Sequence, residues 1–103
     1  MSSEHNIEFL ILIAERKKKE EFLTVLSRAG ARIINTIYGR GSAKVNSLME
    51  MLGIIPDDDK VVITCLISRE NSDDVFEILV KEFNFDKPNT GIAFSIPVEG
   101  LSY

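Results

Sequence analysis

Residues 7–14, Ile-Glu-Phe-Leu-Ile-Leu-Ile-Ala, decide how the rest of this chain is read. A near-continuous β-prone run of this kind belongs to a strand covered on both faces, so it predicts a central strand of a sheet. Moving outward, the apolar period changes. From Glu15 to Ala29 the apolar residues Phe22, Leu23, Leu26 and Ala29 recur every three or four positions, while Lys17, Lys18, Lys19, Glu20 and Glu21 stay polar, which predicts an amphipathic helix. Gly30 ends it by accepting a left-handed backbone. Ala31 to Tyr38 follows as a second strand, given β-prone bulk by Ile33, Ile34, Ile37 and Tyr38.

The same order recurs in residues 61–98. Val61–Ser68 reads as a strand, and a second helix is expected to start near Asn71 or Ser72, with Asp73 and Asp74 in its first turn, where negative charge suits the helix dipole. Val75, Phe76, Leu79, Val80 and Phe83 make its apolar stripe. After a loop over residues 84–90, Gly91 opens the last strand, and Pro97 places that strand at an edge or ends it there. Two strand–helix–strand halves imply an α+β, ferredoxin-like βαβ-βαβ sandwich: a four-stranded antiparallel sheet with two helices on one face. The second face is apolar too and has no helix of its own, so another subunit is its simplest cover.

Composition narrows the classes. A chain of 103 residues, 45% apolar and 27% charged, fits one ordered domain, read as a loose tail over residues 1–6 and a single domain over 7–103. The formal charge of −4 argues against a broad polyanion-binding surface, so nucleic acid is not an expected partner. One cysteine and one histidine provide neither an intrachain disulfide nor a zinc set. Cys65 sits inside an apolar run, as a small buried hydrophobe does, and His5 falls in the tail. No apolar run approaches the ~20 residues of a membrane helix and no secretion signal opens the chain, so a cytoplasmic location is expected. Asp57, Asp58 and Asp59 are consecutive, without the alternating spacing of a calcium loop, and read as a solvated turn. No nucleophile has a base near it in the sequence, and no enzyme is expected.

The residues with chemistry to offer lie in two glycine-bearing loops. Gly39-Arg40-Gly41-Ser42 and Lys87-Pro88-Asn89-Thr90-Gly91 could form a phosphate pocket, Arg40 presenting a planar donor fork and the glycine amides an anion-binding nest. The plain alternative is that the glycines only turn the chain and Arg40 is solvated. Ser42 is placed to cap a short helix carrying Val45, Leu48, Met49 and Leu52 before Gly53. The run Lys17–Lys19 reads as a solvated helix start, although its charge opposes the local dipole.

Four pieces of this chain resemble the nitrogen regulatory P-II family: the opening strand with its helix to Gly30, the Tyr38-Gly39-Arg40 close of the second strand, Lys60-Val61-Val62-Ile63, and Gly91-Ile92-Ala93-Phe94-Ser95-Ile96-Pro97-Val98-Glu99. The resemblance implies a homotrimer whose sheets line a central core, with adenine nucleotides (ATP, ADP or AMP) in clefts between subunits. It also implies a loop after the second strand that meets partner proteins. By position, Gly39 and Arg40 stand at the base of that loop and Lys60 at its far end. Asn89, Thr90 and Gly91 fall in the phosphate-binding loop; with Gly41 and Lys87 these complete the expected ligand-binding set.

The chain also departs from the family pattern. Gly41 replaces the glutamine that helps hold magnesium and 2-oxoglutarate, Ile92 stands where a lysine is usual, and the basic residues of the family's C-terminus are missing before Tyr103. Losing several charge-assisted hydrogen bonds of roughly 1.5–3 kcal/mol each implies a changed or weaker ligand. The expected function is a trimeric regulatory protein that binds a small anionic metabolite and acts on a membrane transporter or a metabolic enzyme through residues 41–55. The alternatives are a ligand-free oligomeric interaction module of the same fold, a small acylphosphatase-like enzyme using Arg40 and Asn89, and the divalent-cation-tolerance trimers, which share the architecture.

Overall fold

A computed structural model describes residues 6–38, 47, 50–51, 59–88 and 90–99. Its elements in chain order are β1 (Ile7–Glu15), a 3-10 turn (Arg16–Lys18), α1 (Lys19–Arg28), β2 (Arg32–Tyr38), β3 (Lys60–Ser68), α2 (Arg69–Phe83) and β4 (Gly91–Pro97). The strands form one antiparallel sheet in the order β2-β3-β1-β4, the α+β ferredoxin-like arrangement that the two repeated halves imply. β1 is central, as its near-continuous apolar run requires. β4 is an edge strand and stops at Pro97, which has no N–H to continue a ladder.

Alternation along the strands separates two apolar faces. On the helical side Leu10, Leu12 and Ala14 of β1 meet Val61, Ile63, Cys65 and Ile67 of β3 beneath Phe22 and Leu26 of α1 and Val75 and Leu79 of α2. Burying each large side chain here stabilises the fold by about 1.5–3 kcal/mol. The Phe22 ring lies between Phe83 at 4.7 Å and Phe85 at 5.8 Å, joining α1 to the end of α2 and to the loop beyond it. On the opposite side the register lines up Phe9, Ile96 and Leu66, then Ile11, Phe94 and Thr64, then Ile13, Ile92 and Val62 with Ile37 of β2. Among the described residues no helix covers this side. Phe9, Ile37 and Ile96 are left 37%, 38% and 49% exposed.

Several boundaries differ from the sequence expectation. The first helix begins at Lys19 and not at Glu15, because β1 runs through Glu15, which pairs with Lys60, and the 3-10 turn then redirects the chain. The second helix begins at Arg69 and not near Asn71, because the Ser68 hydroxyl accepts the Asn71 N–H at 3.2 Å and caps it there. Asp73 and Asp74 therefore lie beyond the first turn, where Glu70 is the acidic residue. Asn84 closes α2 in a left-handed conformation, φ 59°, with its N–H on the Leu79 carbonyl. Of the short helix expected from Ser42 onward, Ser47, Glu50 and Met51 are described, and all three are helical.

The stripe of α2 holds at Val75, Phe76, Leu79 and Phe83, with two departures. Val80 is 43% exposed, and Ser72 takes a buried position in register with Val75 and Leu79. Among the described residues its hydroxyl has no hydrogen-bond partner. A buried hydroxyl without a partner costs stability that an alanine of similar size avoids, and alanine is also the better helix former. Ser72→Ala is expected to raise unfolding stability by about 1 kcal/mol, read as a higher urea midpoint at unchanged slope; a lower midpoint would reveal a partner for the hydroxyl.

Candidate functional site

Of the residues singled out in the sequence, Lys60, Thr90 and Gly91 lie at one end of the sheet, where antiparallel pairing brings the end of β1, the end of β2 and the starts of β3 and β4 together. The last shared row runs Tyr38, Val61, Ala14, Gly91, with all four side-chain positions on the helical side. One step further, Lys60 pairs with Glu15 on the open side. Lys60 and Gly91 thus flank the same central strand although 31 positions separate them in sequence. Lys87 and Thr90 belong to the loop that delivers Gly91 to this end. Gly39, Arg40, Gly41 and Asn89 lie outside the described residues, as do most of residues 41–55 and the tail over 1–5.

The loop before β4 has its own internal order. The Thr90 hydroxyl donates within reach of both the Asn84 carbonyl at 2.7 Å and the Lys87 carbonyl at 2.9 Å, and the Lys87 N–H donates to the Asn84 carbonyl at 2.9 Å. These bonds draw Lys87 and Thr90 back onto the end of α2. Thr90 shapes the loop with its proton and keeps lone pairs for other use. Gly91 is needed for a packing reason. A Cβ there would stand 2.5 Å from Cζ of Phe85 and 3.0 Å from the Ile13 carbonyl oxygen, so the ring of Phe85 occupies the space of the absent side chain.

The sequence reading missed a cluster around Tyr38. The Lys19 ammonium donates to the Tyr38 hydroxyl at 2.9 Å, and the guanidinium of Arg16 stands 4.0 Å from the ring centroid, close enough for a cation–π contact. The Arg16 amide donates to the Asp59 carbonyl at 2.6 Å, tying the end of β1 to the start of β3. Lys17 remains a solvated helix-start residue beside Glu15, whereas Lys19 is turned onto the phenol. The hydrogen bond from Lys19 holds the Tyr38 phenol below its ordinary pKa, and the same bond raises the pKa of Lys19. The only hint in the sequence was three lysines at a helix start, where the dipole disfavours them.

The chemistry available elsewhere is limited. Burial pushes the Cys65 thiol up to about 11, so it stays protonated and unreactive at neutral pH. Among the described residues no group of three or more His, Cys, Asp or Glu side chains could hold a metal ion. An open groove of about 450 Å³ between the helices, lined in part by Thr24, Arg28, Asn71 and Asp74, contains none of the residues expected to bind a ligand. No helix among the described residues is long and apolar enough to cross a membrane.

No family model matches the sequence, and no curated protein matches it either. Solved structures do match. CPII of Thiomonas intermedia K12, a nitrogen regulatory PII-like protein solved with ADP, AMP and bicarbonate, superposes with a TM-score of 0.64 at 18% identity, covering 94% of each chain. Its apo form gives 0.63 at 20% identity over 87% of this chain and 86% of that one. A PII-like protein of Thermus thermophilus, assigned to signaling, gives 0.62 at 14% identity over 87% and 83%. The chain therefore has the fold of the PII-like signaling proteins, the fold that the resemblance in its sequence implied.

Proposed function

We propose that three copies of this chain associate through their open sheet faces and bind an adenine nucleotide, ADP or AMP, in the clefts so formed. The observation that carries this reading is the superposition, over 94% of both chains, on a protein solved with ADP, AMP and bicarbonate. Two features of the chain support it. Phe9, Ile96, Ile37 and their neighbours form a continuous apolar face with no helix among the described residues to cover it. Ile33, at the bulge of edge strand β2, is 70% exposed and held at φ 52°. A β-branched residue in that conformation is costly, and docking against a neighbouring subunit would repay the cost.

The phosphates are assigned to the end of the sheet that carries Lys60, Thr90 and Gly91, with Lys87 at the loop and Gly39, Arg40, Gly41 and Asn89 completing the set. Arg40 is the principal anion contact, because a guanidinium gives phosphate two parallel donors. The bound state is read by a partner, a transporter or a metabolic enzyme, through residues 41–55. Differential affinity of the nucleotide for two states of that surface supplies the signal.

Calorimetric titration of the assembled protein with ADP and AMP, with and without bicarbonate, tests the site. Arg40→Ala is expected to weaken nucleotide binding roughly tenfold or more, the loss of one charge-assisted bidentate contact. An identical titration curve for the two proteins would remove Arg40 from the site. The ligand-free assembly module of the same fold remains the second reading; a native trimer whose melting temperature ignores every adenine nucleotide would establish it.

A further inference from the structure

Residues 16–19 reach both sides of the stretch that carries Arg40. On one side, the Arg16 amide holds the Asp59 carbonyl at 2.6 Å, immediately ahead of Lys60. On the other, the Arg16 guanidinium stacks 4.0 Å from the ring of Tyr38, the last residue of β2, and the Lys19 ammonium donates to its hydroxyl at 2.9 Å. The Arg16–Asp59 bond continues the β1–β3 register by one pair, whereas the two contacts to Tyr38 are not part of any ladder. The sheet order is β2-β3-β1-β4, so β1 and β2 are not neighbours, and the turn after β1 reaches across β3 to grip β2. Lys19 also stands 3.4 Å from Glu20, so its ammonium faces a phenol and a carboxylate of its own chain.

We propose that Arg16, Lys19 and Tyr38 form a clamp that fixes the ends of β2 and β3 relative to each other, and that this clamp sets nucleotide affinity without Lys19 touching the ligand. They are positioning residues. The inference rests on the adenine-nucleotide reading above for its effect on affinity, while the clamp itself rests on these contacts. Tyr38 and Lys60 mark where the chain leaves and rejoins the sheet at the end proposed for the phosphates, and strand ends fray unless something beyond the ladder holds them.

The test is a double-mutant cycle of Lys19→Met and Tyr38→Phe on the intact assembly, read by ADP calorimetry at constant ionic strength and by amide hydrogen exchange. Tyr38→Phe keeps the ring under Arg16 and removes only the hydroxyl. Each single change is expected to weaken ADP binding about fivefold, and the pair to do no more than either alone, as residues that act through one bond do. Exchange at the amides of residues 38 and 59–61 is expected to speed up in Lys19→Met while the β1 amides keep their protection. Lys19→Arg, which keeps a donor, is expected to restore most of the affinity.

Effects that multiply in the pair would make Lys19 a direct ligand contact and overturn the positioning role. Unchanged exchange in Lys19→Met would overturn the clamp whatever the titration shows. Faster exchange in a protein whose parent binds no ADP would reject the nucleotide reading, and with it the effect on affinity, while leaving the clamp in place.

Discussion

Ile96→Glu is expected to convert the proposed trimer into single chains. Ile96 lies beside Phe9 on the open face and is 49% exposed in the isolated chain, so a glutamate there stays hydrated in the monomer and costs the fold little. In an assembly closed over that face, the same carboxylate would be buried against apolar side chains with no partner. An uncompensated buried charge costs several kcal/mol, and at about 1.4 kcal/mol per factor of ten that shifts the association equilibrium by orders of magnitude. Native mass spectrometry is expected to show the assembly mass fall to one third, with the far-UV circular dichroism unchanged. If the clefts between subunits hold the nucleotide, ADP binding disappears in the same variant. A variant that retains full native mass would place the subunit contact elsewhere and remove the reason for a cleft at this end of the sheet.

Gly91→Ala is the second large effect. The methyl group would overlap the Phe85 ring at 2.5 Å and 2.9 Å, and on the other side meet the Ile13 carbonyl at 3.0 Å. The backbone of the central strand has little freedom to yield, so the ring must. Phe85 is packed on Phe22, which packs on Phe83, and moving it disturbs the junction of α1, α2 and the loop over residues 84–90. Overpacking of this kind costs typically 1–3 kcal/mol, and a loss of about 2 kcal/mol lowers the melting temperature of a domain this size by roughly 10 °C. The cause can be separated from any loss of ligand contact. Phe85→Leu lacks the two ring atoms that the methyl would strike, so Gly91→Ala combined with Phe85→Leu is expected to be more stable than the sum of the two single losses predicts. Strict additivity in thermal or urea unfolding would place the clash on the Ile13 carbonyl and not on the ring.

These two residues illustrate how differently structure and sequence bear on the site. Gly91 was legible as a loop glycine at the start of a strand. Its packing role was not legible, because Phe85 lies in a loop whose apolar residue has no periodicity to mark it as core. Tyr38 was read as the last residue of a strand. Its role as the acceptor for Lys19 depends on a turn that crosses a neighbouring strand, a contact between positions 19 apart with no pattern in the sequence to announce it. The start of α1 shows the same limit. Apolar spacing located the helix, but the extension of β1 through Glu15 came from its pairing with Lys60, which periodicity does not register.

Local chemistry by itself determined a great deal here. Alternating and helical apolar periods set the strand–helix–strand repeats, the central place of β1, the edge position of β4 and the presence of two apolar sheet faces. These follow from side-chain period and backbone preference, which act over a few residues. Only the tertiary structure decided which distant residues share a row, which lysine of Lys17–Lys19 meets the phenol, why position 91 has room for nothing larger than glycine, and which serine takes a buried place in the stripe of α2. Those outcomes depend on the register between strands and on how helices seat on the sheet, and both are fixed when the chain packs, by contacts that no local stretch contains.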